Sequence, residues 1–258
     1  MNISATIIAA ATIVAGVTGN TVHTSRQLIL GGHTAESSQQ YVVGLCDSPS
    51  QNSFCSGVLI TKSHVLTTST CVDQVWDGIS MYAAIGARFN TGLNFSNGMQ
   101  NGEHIKVETI QIHPEFNNDT TSYDFALLTL RKASQFTPIQ QPTADAKPGM
   151  YLKAFGSGSP TYPDALLQVV KLEVWSNDRC DDTYEIDDSM ICAGGENGKS
   201  TCIGDIGGPL VHETKSGDVL IGLVSMAECG NEGTPDVFSR VWSARDWLIE
   251  CIESDMLL

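Results

Sequence analysis

Short runs in which apolar and polar residues alternate recur along most of the chain, each closed by Gly, Pro, Asn or Asp. Clear examples are YVVGL at 41–45, SGVLITKSHVLTT at 56–68, MYAAIGA at 81–87, EHIKVETIQI at 103–112, DFALLTL at 124–130, MYLKAFG at 150–156, DVLIGLVSM at 218–226 and PDVFSRV at 235–241. In LLQVVKLEVW at 166–175, Leu166, Val170, Leu172 and Val174 share one face, while Lys171 and Glu173 point the other way. A period of two with one apolar face marks a half-buried antiparallel strand. Many such strands, closely spaced and parted by turn residues, predict an all-β barrel or sandwich. The pattern changes once, near the end. There Ser243 can cap a helix, Asp246 follows three residues later as in a capping box, and Trp247, Leu248, Cys251 and Ile252 fall on one stripe. The polar stretch 129–149, with three prolines, reads as a linker between two halves.

The first 19 residues carry no charged side chain and end in small residues, Val17 and Gly19 suiting a cleavage site. This predicts a secretory signal peptide over 1–19, with an uncleaved anchor as the alternative. No other apolar run is long enough to cross a bilayer. A short segment, 20–28, would follow the signal. The 258 residues carry a formal net charge of −15. Removing Arg26, the one charged residue before Ile29, leaves 13 bases against 29 acids, or −16. Such a surface disfavours nucleic acid and anionic lipid and favours a basic protein partner, unless the acid serves solubility alone. All eight cysteines lie beyond the signal, and an even count in a secreted chain points to disulfides. No close Cys or His pair has metal-ligand spacing, so no metal or other cofactor is expected. Beyond the signal two sequons, at Asn94 and Asn118, predict glycans on exposed loops, and a third, at Asn2, would be removed with the signal.

Candidate chemistry lies in CIGDIGGPL at 202–210, where an acid precedes paired glycines. Glycines cluster in this way where backbone bends sharply or approaches a neighbour closely. Together with ILGG at 29–32, FCSGVLITKSHVLTTSTC at 54–71 and YDFALLTL at 123–130, this stretch resembles the trypsin/chymotrypsin-like serine proteases. The resemblance covers nearly all of 29–258. It implies two six-stranded antiparallel Greek-key β-barrels and a C-terminal helix. Barrel 1 would span about 29–138, barrel 2 about 139–242 and the helix about 243–253.

Family enzymes use a Ser-His-Asp triad in which histidine takes the serine proton and aspartate orients the histidine. The resemblance places Asp124 at the aspartate position, but Thr70 where the histidine stands and Ile206 where the serine stands. Ile206 offers no lone pair, and a threonine hydroxyl is too weak a base near neutral pH. Loss of such groups costs on the order of 10⁶ in turnover. The scaffold around them is kept: Gly204 matches the oxyanion-hole glycine, and Asp205 matches the acid that receives a new amine after activation. That amine would belong to Ile29. Leu28 stands where zymogens carry Arg or Lys, which puts cleavage there in question. The specificity pocket departs too, with Ser200 at its base, Ser225 and Ala227 on its wall and Asp236 in place of a pocket glycine. The resemblance also implies the disulfides Cys55–Cys71, Cys180–Cys192 and Cys202–Cys229. Each is worth roughly 3 kcal/mol in the chain-entropy model. Cys46 and Cys251 remain and are paired by elimination.

Among non-catalytic relatives, the LILGG start, VLTTSTC and the serine-free GDxGGPL most resemble the secreted glucanase inhibitor proteins of oomycete plant pathogens. This implies a protein of the plant apoplast that is not an enzyme and that binds host endo-β-1,3-glucanase. The alternative is a decoy, adhesin or protease cofactor for another extracellular protein. Binding would use loops around the old cleft, the candidates being 46–54, 91–102, 156–165 and 227–236.

Overall fold

The computed structural model describes residues 29–36, 39–73, 80–87, 93–94, 99–100, 102–157 and 166–255. The predicted signal, the segment 20–28 and most of the candidate loops 91–102 and 156–165 lie outside the described residues. In chain order the strands are β1 (His33–Thr34), β2 (Val42–Cys46), β3 (Cys55–Leu59), β4 (His64–Thr67), β5 (Tyr82–Ile85), β6 (Leu93–Asn94), β7 (Met99–Gln100), β8 (Glu103–Ile112), β9 (Ala126–Leu130), β10 (Tyr151–Gly156), β11 (Gln168–Glu173), β12 (Met190–Gly194), β13 (Pro209–Thr214), β14 (Gly217–Met226) and β15 (Pro235–Arg240). Three α-helices are α1 (Ser69–Asp73), α2 (Asn177–Asp181) and α3 (Arg245–Asp255).

The strands build an all-β fold of two large antiparallel sheets, with β6 and β7 pairing as a separate two-stranded ribbon. The first is a closed barrel in the order β2-β3-β4-β9-β8-β5. The second is a seven-stranded sheet in the order β1-β11-β10-β13-β14-β15-β12. Its six longer strands curl until Val174, just past β11, bridges Ala193 on β12. The alternation seen in the sequence has the expected consequence in β11, where Val170, Leu172 and nearby Val174 are buried while Lys171 is exposed. The division of the chain at 138 needs one correction. β1 lies near the start of the chain but pairs with β11, and Leu30 bridges Ser200, so the first described residues belong to the second sheet.

One apolar cluster joins the halves. It holds Leu45, Leu66 and Phe125 of the first barrel, Phe155, Val211 and Leu223 of the second sheet, and Leu248 and Cys251 of α3. Full burial of each large apolar side chain contributes about 1.5–3 kcal/mol. The expected stripe of α3 is in place, with Trp247 and Ile252 packed against the same cluster. Its start differs from expectation. Ser243 sits inside a 3-10 turn, Val241–Ala244, and its hydroxyl donates to the Arg240 carbonyl at 2.7 Å. That bond commits the hydroxyl to the preceding turn, so Ser243 is not the helix cap.

Three disulfides form as the resemblance implied: Cys55–Cys71, Cys180–Cys192 and Cys202–Cys229. The fourth does not. Cys46 and Cys251 are separate buried thiols. The end of α3 is fastened through Asp255, which accepts from Thr129 of β9 at 2.7 Å and from Gln111 of β8 at 3.4 Å and meets His64 of β4 at 3.2 Å. Cys46 lies on β2, three strands around the barrel from β9. The two sulfurs therefore belong to different sides of the barrel. Asn118 is exposed in a turn, and Asn94 falls in β6.

Candidate functional site

Asp124 precedes β9 and is fully buried. Its carboxylate is held by hydroxyl and amide donors from both halves. The Thr70 amide donates to Oδ1 at 2.8 Å, the Thr70 hydroxyl to Oδ2 at 3.0 Å and the Ser225 hydroxyl to Oδ2 at 2.7 Å. Ser239 donates to the Asp124 carbonyl at 2.9 Å. Burial pushes the Asp124 carboxyl above the usual carboxylate range, and these hydrogen bonds, with one from the Ser69 amide, offset only part of that. The threonine thus occupies the aspartate directly. Ser225, expected on the pocket wall, gives its hydroxyl to the same carboxylate.

No imidazole bonds to Asp124 among the described residues. His64 is buried between Thr61 and Asp255, with ring contacts of 2.6 and 3.2 Å. His113 stacks on Tyr123 and meets Trp247 edge-on, each at 4.8 Å between ring centres. It is a buried, packed residue whose carbonyl accepts the Phe116 amide at 3.0 Å.

Ile206 follows a 3-10 turn, Ile203–Asp205, that contains Gly204. Half-buried, its side chain packs against the shared apolar cluster and also against a second cluster inside the second sheet. Its carbonyl accepts the Ser56 amide of β3 at 2.8 Å, so the turn is stitched to the first barrel. The paired glycines have a packing reason that is independent of chemistry. Gly207 has φ +82°, and a Cβ there would lie 2.1 Å from the Ser56 carbonyl oxygen. A Cβ on Gly208 would lie 2.5 Å from the Phe155 carbonyl oxygen. The motif persists because the backbone crosses the seam too closely to admit a side chain.

Asp205 is fully buried, with Oδ2 accepting the Cys202 amide at 2.9 Å. Ile29 is fully buried as well, inside the second cluster, and Leu30 exchanges backbone bonds with Ser200 at 3.0 and 3.3 Å.

Ser200 and Asp236 meet inside the second sheet. The Ser200 hydroxyl donates to Asp236 Oδ1 at 2.7 Å, and the Glu228 amide to the same oxygen at 3.1 Å. The Thr201 amide and hydroxyl donate to Oδ2 at 2.7 and 2.9 Å. Asp236 is 1% exposed, and burial raises its carboxyl above the usual range despite these four donors. Its oxygens are fully engaged by the protein. Thr201 was not singled out in the sequence, although its place beside Ser200 could have pointed to it. Ala227 is half-buried beside the second cluster.

The arrangement offers no activated nucleophile. Its one conspicuous unsatisfied surface is apolar: Ile203, at the head of the turn, is 78% exposed. Among the described residues no His/Cys/Asp/Glu group could hold a metal ion, and no helix is long and apolar enough to cross a membrane.

Comparison with known proteins bears on this geometry. A profile of the family described as Trypsin matches residues 29–248. The chain is 44% identical over 253 residues to glucanase inhibitor protein 2 of Phytophthora infestans, covering 93% of this chain and 95% of that one. It is 42% identical over 267 residues to glucanase inhibitor protein 2 of Phytophthora sojae, covering 98% and 89%. Against glucanase inhibitor protein 3 of Phytophthora infestans the identity is 39% over 264 residues, covering 96% and 97%.

Proposed function

The chain belongs to the trypsin family, and from that premise we propose that it is a secreted, non-proteolytic member that binds and inhibits host plant endo-β-1,3-glucanase. In the apoplast this would suppress release of defence-eliciting glucan fragments. The observation that carries the non-proteolytic half is the bonding of Asp124. Its carboxylate holds the Thr70 hydroxyl at 3.0 Å, where a protease needs an imidazole, and hydrocarbon stands at Ile206. A threonine hydroxyl is far too weak a base near neutral pH to stand in for an imidazole, and the hydrocarbon at residue 206 has no proton to give it. The glucanase half is supported by the likeness to glucanase inhibitor proteins over more than nine-tenths of the chain.

The mechanism is occlusion by a rigid body. The described loop 227–233 is pinned by the Cys202–Cys229 disulfide and by the bond from Asn197 to Glu232, so little ordering entropy is lost there on association. The acidic surface speeds encounter with a basic enzyme. The test is inhibition of a purified plant endo-β-1,3-glucanase acting on soluble β-1,3-glucan. Saturable inhibition with a co-eluting complex is expected. Neither complex nor inhibition at micromolar protein would overturn the reading. Labelling by a serine-reactive fluorophosphonate, or steady peptide turnover by clean protein, would overturn the non-proteolytic half.

A further inference from the structure

We infer that Ile203 and the acidic loops beside it form the docking surface for a basic protein partner, Ile203 being the apolar anchor and the acids its rim. This rests on the reading of the chain as an inhibitor and specifies where and how it grips. Ile203 is 78% exposed, the most exposed large apolar residue described. Lone exposed apolar residues are common on surfaces, but this one is held rigidly. It follows Cys202, bonded to Cys229, and the Cys229 amide donates to the Thr201 carbonyl at 3.2 Å. The neighbouring Asp205 amide donates to the Cys202 carbonyl at 2.8 Å.

The acids are gathered by the fold. Glu228, next to Cys229, accepts the Tyr184 hydroxyl at 2.6 Å, which brings the loop after α2 against the disulfide. Asn197 donates to Glu232 at 3.2 Å, and the Gly233 amide to the Gly195 carbonyl at 3.1 Å, which closes the third loop onto the same edge. Residues 178–199 contain seven acids and residues 227–233 two more, against the bases Arg179 and Lys199. The net −7 is nearly half of the whole chain's −15. The two bases are already spent internally: Arg179 lies over the Trp175 ring at 3.4 Å, and Lys199 pairs with Glu196. An apolar anchor beside an excess of acid, of which Asp187 alone is shown facing a further base, Arg240, fits a basic surface that offers an apolar pocket, and does not fit an acidic protein or an anionic lipid.

Binding of a purified basic plant endo-β-1,3-glucanase to the full-length secreted protein, measured by interferometry over a range of salt, tests this. Asp182, Glu185 and Asp188 are exposed and make no side-chain hydrogen bond among the described residues. The triple change Asp182→Lys, Glu185→Lys and Asp188→Lys should lower affinity about tenfold or more, mainly through association rate, and flatten the salt dependence. Ile203→Asp should lower affinity about tenfold, mainly through faster dissociation. The control Glu108→Lys with Glu253→Lys, on β8 and α3, should stay within about twofold. If the wild type binds and both test variants, folded by circular dichroism, bind equally well, the surface is wrong while inhibition stands. If the wild type binds no glucanase, the inhibitor reading fails and this surface with it.

Discussion

At Ile206 the consequences of one side chain reach both sheets. It packs against the shared cluster and against the cluster inside the second sheet, so it closes the seam between them. Ile206→Ser should cost about 1–2 kcal/mol, the transfer and cavity loss for a half-buried isoleucine. It should not create reactivity, because among the described residues no imidazole is bonded to Asp124. Urea denaturation and fluorophosphonate labelling check both parts; unchanged stability would show that the side chain does not bridge the cores. Asp124 makes a second prediction. Burial makes its folded carboxyl hold a proton to higher pH than the unfolded chain does. The folded state therefore binds more protons across the window from the unfolded value, about 3.9, up to the raised one, and stability falls as pH rises through that window. Asp124→Asn keeps an acceptor for the Thr70 amide, and the Thr70 and Ser225 hydroxyls can rotate to accept from the new amide. The variant's stability relative to wild type should improve as pH rises above about 4. Asp236, also raised, is common to both proteins and cancels. A difference that is flat in pH would show that Asp124 titrates alike folded and unfolded.

Among the elements, the thiols of β2 and α3 give the sharpest test. Cys46 is buried and its thiol is pushed up to about 12, mainly by desolvation; Cys251 is raised for the same leading reason. A thiol reagent should find essentially no reactive sulfhydryl in the native protein and two after denaturation without reductant. None after denaturation would restore the Cys46–Cys251 bond that elimination suggested. Elimination failed because it counts sulfurs without placing them, and the barrel order separates these two. Other elements were legible to different degrees for similar reasons. The strands named from alternation, such as β8 and β11, stand where the pattern put them. β12 was not singled out because MICAG is buried at every position and so carries no period of two. β1 is two residues long and is defined by its partner across the molecule. In the site, Thr70, Asp124 and Ile206 could be located through their motifs. That Ser225 serves Asp124, that Thr201 serves Asp236, and that Ile203 stands out from the surface depend on contacts between residues distant in sequence.

Over the whole molecule, covalent and non-covalent links divide the labour. Cys55–Cys71 lies in the first barrel, while Cys180–Cys192 and Cys202–Cys229 lie in the second sheet and its loops. Among the described residues no disulfide joins the halves. What joins them is the common cluster and a set of polar links, one buried and three part-buried. The Tyr41 hydroxyl donates to Asp218 at 2.6 Å, Ser122 to Asp187 at 2.5 Å, the Tyr123 amide to Ser189 at 2.8 Å, and Ser225 to Asp124 at 2.7 Å. Separating the halves would expose the shared apolar surface and strand the Asp124 carboxylate, each at a cost of several kcal/mol. Neither half can then persist alone once the other opens. With its disulfides intact the protein should unfold in one cooperative step. Near-ultraviolet and far-ultraviolet circular dichroism should trace the same curve, and the calorimetric and van't Hoff enthalpies should agree. Two resolved transitions would mean that the seam is weaker than either sheet. In that case Ile206→Ser should move only the seam's transition.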